Sequence, residues 1–144
     1  MKVEIGNYPD AGEDQKIEVH IDKWDTWSMD HTLAHIVLPM LKQLKETKHG
    51  SPSVEFKDVP EELWPPDAES FNKLYAQNGE TDDNYFKRWD WVLDEMIYAF
   101  DCKANKDEVY MRFDIKDRDV IQKEQDRISN GFRLFGKYYE SLWD

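Results

Sequence analysis

Apolar and charged residues alternate at the start of the chain. Val3 and Ile5 alternate with the charged Lys2 and Glu4, and Ile17, Val19 and Ile21 alternate with Glu18, His20 and Asp22. A period of two on either side of the dense turn signal from Gly6 to Gly12 predicts an antiparallel strand pair within residues 1–23, each strand burying one face. Val109, Met111, Phe113 and Ile115 repeat the alternation and predict a third strand. Two strands alone are marginal unless a helix packs over them.

Elsewhere the period lengthens to that of a helix. From Ser28, a good N-cap residue, to about Lys48, the residues Leu33, Ile36, Val37, Met40, Leu41 and Leu44 form an apolar stripe. Pro39 inside this stretch predicts a kink, and Gly50, Ser51 and Pro52 end it. Residues 51–82 are irregular, with a helical turn expected after Asp58 and a weak helix over 67–77. A second strong helix spans 83–101, its stripe being Phe86, Trp89, Leu93, Met96, Ile97 and Phe100. The last spans 117–142, with Ile121, Ile128, Phe132, Phe135, Tyr139 and Leu142 on one side and Gly131 and Gly136 as bends or close-contact points. The pattern predicts a single α+β domain over 1–144, mainly helical, with three or four helices packed on a small antiparallel sheet. The alternative is an all-α bundle, should the strand-like segments prove irregular.

Composition narrows the function classes. An aromatic content of 14% argues for a packed fold over an acidic disordered chain. The formal charge of −12 argues against direct nucleic-acid binding or adhesion to anionic membranes. Cys102 is the single cysteine, which removes intramolecular disulfides and cysteine-based zinc sites. Neither a signal-like apolar run nor a stretch of about 20 apolar residues is present, so a cytoplasmic location and no membrane span are expected.

Candidate chemistry centres on the first helix. At 100° per residue, His31, His35, Leu38, Lys42, Lys45 and His49 fall opposite the apolar stripe. With Lys48 they make a locally basic strip in an acidic chain. One reading pairs that strip with an acidic face of the same protein or of a second copy. The other gives it an anionic ligand held by Lys42, Lys45, Lys48 and His49, although a helix C-terminus is partially negative and repels anions. His31 and His35 have the one-turn spacing of helical metal ligands, but Thr32 stands where a metalloprotease has Glu and no third ligand is evident, so the pair reads as solvated and no metal is assigned. Asp90, Asp94 and Glu95 suggest the carboxylates of a metal-dependent nucleotide hydrolase, yet pairs of this kind arise by chance among 31 acidic residues. There is no P-loop and no nucleophile elbow, and no catalytic residue or cofactor is assigned. Trp27 is placed to pack back on the first helical turn. Trp91 points away from the core stripe and is the better stacking platform.

The stretch from Trp24 to Gly50 resembles the signature of an uncharacterised family encoded by tailed bacteriophages. The segments Asp58 to Leu63, Arg88 to Met96 and Asn130 to Tyr139 are similar to that family too, as is Lys2 to Tyr8. Members of the family carry other residues at the positions of His31 and His35. The resemblance implies an infected bacterial host as the setting and brings no activity with it. In that setting the first expectation is a non-enzymatic, homo-oligomeric binding protein that counters host defence by sequestering a nucleotide-type signal. Lys42, Lys45, Lys48, His49, Arg88, Arg133 and Lys137 would hold phosphates, and Trp91 would stack on a base. The alternative is an acidic inhibitor that imitates DNA on a host defence protein. The hydrolase comes third.

Overall fold

A computed structural model describes residues 1–10, 12–65, 81–105 and 118–143. The expected third strand over 109–115 and the weak helix over 67–77 lie outside the described residues.

Strand β1 (Lys2–Ile5) pairs antiparallel with β2 (Ile17–His20), Val3 opposite Val19 and Ile5 opposite Ile17. Gly6 N–H donates to the Lys16 carbonyl at 2.8 Å, extending the ladder by one rung, and the Gln15 side-chain amide donates to the Gly6 carbonyl. In the connection Gly12 takes a φ of +106°, which favours glycine. Pairing and register follow the alternation. Burial does not: Ile5, Ile17, Val19 and Ile21 are all more than half exposed. Among the described residues no helix packs extensively over this face.

Helix α1 (Met29–Thr47) starts after Ser28, whose side chain makes no capping bond. Its buried line is Ala34, Leu38 and Leu41, while Leu33 and Met40 are exposed. The face is therefore rotated from the apolar stripe towards Leu38, which the helical projection puts outside. Trp27 is 83% exposed and does not staple the first turn. Two short 3-10 turns, Phe56–Asp58 and Glu61–Leu63, form the described part of the irregular connection.

Helix α2 (Tyr85–Ala104) lies between α1 and helix α3 (Arg118–Lys137) and packs on both. A central helix must bury two faces, and Trp89, Val92, Leu93, Glu95, Met96 and Ala99 are all buried. Phe86, placed on the core stripe by its spacing, is 53% exposed. Trp89 meets Tyr138 edge to face at 5.8 Å, and Phe100 is held in the same way by Phe132 and Phe135. The contact of α3 with α2 turns on Gly131. A Cβ there would stand 2.6 Å from the Ala99 Cβ and collide with the Glu95 carbonyl, so glycine lets the two backbones approach. Gly136 has no such neighbour, and Tyr139 is exposed where a core position was expected. The chain is a helical α+β fold with three helices and a two-stranded antiparallel sheet among the described residues. None of these helices is long and apolar enough to cross a membrane.

Candidate functional site

The basic strip of α1 faces α2. Lys48 Nζ lies 2.5 Å from Asp90, Lys45 pairs with Asp94, and Lys42 reaches Asp101 at 3.8 Å. Residue numbers rise along one helix as they fall along the other, so the seam is antiparallel. It continues at the far end, where Lys103 pairs with Asp30 at 2.9 Å and His31 Nδ1 lies 2.9 Å from the Lys103 carbonyl. The rotation of α1 and this ladder go together. Its lysines can reach the α2 aspartates only if Leu38 and Leu41 turn inward with them, leaving Leu33 and Met40 outside.

The remaining candidate anion ligands are also engaged. Arg88 is buried; its guanidinium donates to the Leu63 carbonyl at 2.9 Å and forks onto Asp82 at 2.6 and 3.1 Å. Lys137 and Arg133 both pair with Asp58, the latter at 2.9 Å. His49 is exposed just beyond the end of α1. Trp91 is half-buried and packs against the core cluster, so little of its ring is offered for stacking. Lys42, Lys45 and Lys48 thus gather along one seam, while Arg88, Arg133 and Lys137 belong to two other charge clusters.

Asp58 heads the cluster that sequence reasoning missed. The spacing suggests no more than a helix start there, yet its carboxylate is 4% exposed and accepts from the Tyr138 hydroxyl at 2.8 Å. The same hydroxyl accepts from the Glu55 backbone N–H at 3.0 Å. Burial pushes the Asp58 carboxyl up, but hydrogen bonds from Lys137, Tyr138 and Arg133 together outweigh it and hold the group below the usual carboxylate range. Burial, reinforced by Asp58, raises the Tyr138 hydroxyl to about 12. At Asp82 burial again acts upward and is overcome by Arg88 and the Asn84 backbone N–H, for a net lowering.

The carboxylates considered for hydrolysis diverge. Asp90 and Asp94 face the lysines of α1, whereas Glu95 turns to the other side of α2 and takes three hydrogen bonds from Arg127, at 2.7 and 3.1 Å. Arg127 stacks 3.7 Å above the Tyr98 ring. Among the described residues no group of three or more histidine, cysteine or carboxylate side chains is placed to hold a metal ion.

A further candidate surface lies at the N-terminal end. Because Met1, Val3 and Ile5 share a face with Ile17, Val19 and Ile21, the hairpin presents one apolar side, with Lys2, Glu4, Glu18 and His20 on the other. Eleven of the sixteen exposed large hydrophobic side chains found among the described residues fall within residues 1–40, among them Trp24 and Trp27. That concentration makes this segment the candidate interaction surface, since single scattered apolar residues would need no explanation. In the same stretch of sequence, residues 1–30 carry eight acidic side chains against three lysines. No family model matches the chain, and no curated protein or solved structure shows significant similarity to it.

Proposed function

We propose that the chain is a non-enzymatic acidic binding protein that occupies a basic-rimmed apolar surface of another protein, docking through the apolar side of the β1–β2 hairpin. The observation that carries this reading is that side itself, whose residues 5, 17, 19 and 21 are each more than half exposed. An exposed apolar face within a strongly acidic segment suits a protein interface whose partner has a basic rim. A second copy would set acid against acid, so a different protein is the better occupant. The phage resemblance makes that partner a host protein, and a nucleic-acid-binding surface has the required charge.

The nucleotide-sequestering reading draws less support. Lys42, Lys45, Lys48, Arg88, Arg133 and Lys137 all have carboxylate partners within the chain. A phosphate would have to displace them. The hydrolase reading is weakened by the opposed directions of Asp94 and Glu95.

The test is capture from bacterial lysate on the immobilised full chain, comparing it with an Ile5→Asp/Val19→Asp variant. The expected result is a captured protein that is released by raised salt, displaced by added duplex DNA and lost with the variant. The variant's helical core should unfold within about 0.5 kcal/mol of the parent, because the substituted side chains are exposed. Capture that survives both substitutions, or a self-association that depends on Ile5 and Val19, would overturn the proposal.

A further inference from the structure

His31 and His35 lie one turn apart on α1 with their Nε2 atoms 3.3 Å from each other and their rings perpendicular. The Lys103 carbonyl can only accept, so the 2.9 Å contact puts the hydrogen of His31 on Nδ1. The Nε2 lone pair of His31 is then left pointing at His35. This is how metal-bound histidines are held: the distal ring nitrogen is fixed by a backbone carbonyl or carboxylate, which sets tautomer and orientation. Two imidazole nitrogens bound to zinc at about 2.0–2.1 Å with a near-tetrahedral angle stand about 3.3–3.4 Å apart, the separation found between these two rings. The place also suits a cation. Lys103 belongs to the last turn of α2, whose unsatisfied carbonyls carry the negative end of the helix dipole.

We propose that His31 Nε2 and His35 Nε2 form a two-histidine site for a borderline divalent transition cation, Zn²⁺ being the reference ion. The remaining coordination positions fall to water, or to a donor brought by a partner protein. Imidazole ligands suit Zn²⁺, Ni²⁺ and Cu²⁺ and disfavour Mg²⁺ and Ca²⁺, which require oxygen donors. The site is independent of the hairpin surface and of the function proposed for it.

Calorimetric titration of the full chain with Zn²⁺ alone tests the site, with Co²⁺ absorption reporting coordination geometry. Saturable binding is expected, weakened at least tenfold by His35→Ala or His31→Ala and left unchanged by His20→Ala and His49→Ala. Because His31 also caps α2, His35→Ala is the decisive variant: its side chain is exposed, and its circular dichroism should match that of the parent. An absence of saturable Zn²⁺ binding, or affinity that survives His35→Ala, would overturn the proposal and leave the two rings joined only by an N–H···N hydrogen bond.

Discussion

Gly131 and Gly136 stand in the same helix with the same chemistry and opposite tasks. At Gly131 a methyl group meets the Ala99 side chain and the Glu95 backbone. Gly131→Ala should therefore cost about 1–3 kcal/mol by pushing α3 away from α2. Gly136 has open space around it, so Gly136→Ala should stabilise by about 0.4–1 kcal/mol through reduced freedom of the unfolded chain. Thermal unfolding of the two variants, shifted in opposite directions, checks both. Asp58 contributes to acid lability. Its carboxyl and that of Asp82 are held below their unfolded values. The stabilisation they supply is present above about pH 4 and disappears as pH falls through the lowered folded values. Asp58→Ala should cost about 3 kcal/mol at neutral pH, near the low end for a broken buried pair because Lys137 and Arg133 keep access to water. Urea titrations at pH 7 and pH 3 should show the parent losing stability on acidification and the variant losing less.

At the scale of elements, the three helices and the strand pair were legible from periodicity, because long periodic segments leave few alternatives. The first two helices end within three residues of expectation, whereas α3 stops at Lys137, five residues short of 142, and a 3-10 turn follows over Tyr139–Ser141. The buried faces were less legible. On α1 a projection that weighs only hydrophobicity selects Leu33 and Met40, whereas in the structure the lysine side meets the aspartates of α2 and Leu38 is buried. That information was present as two charge patterns, Lys42, Lys45 and Lys48 against Asp90, Asp94 and Asp101, but nothing local says that two such patterns are partners. Asp58 was missed for the same reason: its partners Arg133, Lys137 and Tyr138 lie more than seventy positions away. Along the seam the contribution of each pair should follow burial. Lys48 is 15% exposed and Lys42 56%. A double-mutant cycle to alanine should give Lys48–Asp90 a coupling of about 0.5–1 kcal/mol and Lys42–Asp101 close to zero. Equal couplings would show that burial does not rank these pairs.

For the molecule as a whole, the charge of −12 describes a surface on which the cations suited to holding phosphate are already paired. Lys42, Lys45, Lys48, Arg88, Arg133 and Lys137 are committed to internal carboxylates. The field met by a partner is therefore more uniformly acidic than the composition alone implies. The hairpin interrupts that field with its apolar side, and its sequence shows alternation without saying what covers it. The seam between α1 and α2 has one more consequence. Its teeth are unevenly cut: the lysines advance by three and three, while the aspartates they meet, Asp101, Asp94 and Asp90, retreat by seven and four. An evenly toothed rack slides and re-engages; an uneven one meshes in a single position, like the wards of a key. Replacing the three lysines with Met and the three aspartates with Leu should accordingly leave the protein helical and no less stable, but free to settle in more than one alignment. The amide spectrum would report this as doubled or broadened peaks along α1 and α2, whereas a single sharp set would mean that side-chain packing alone holds the helices in place.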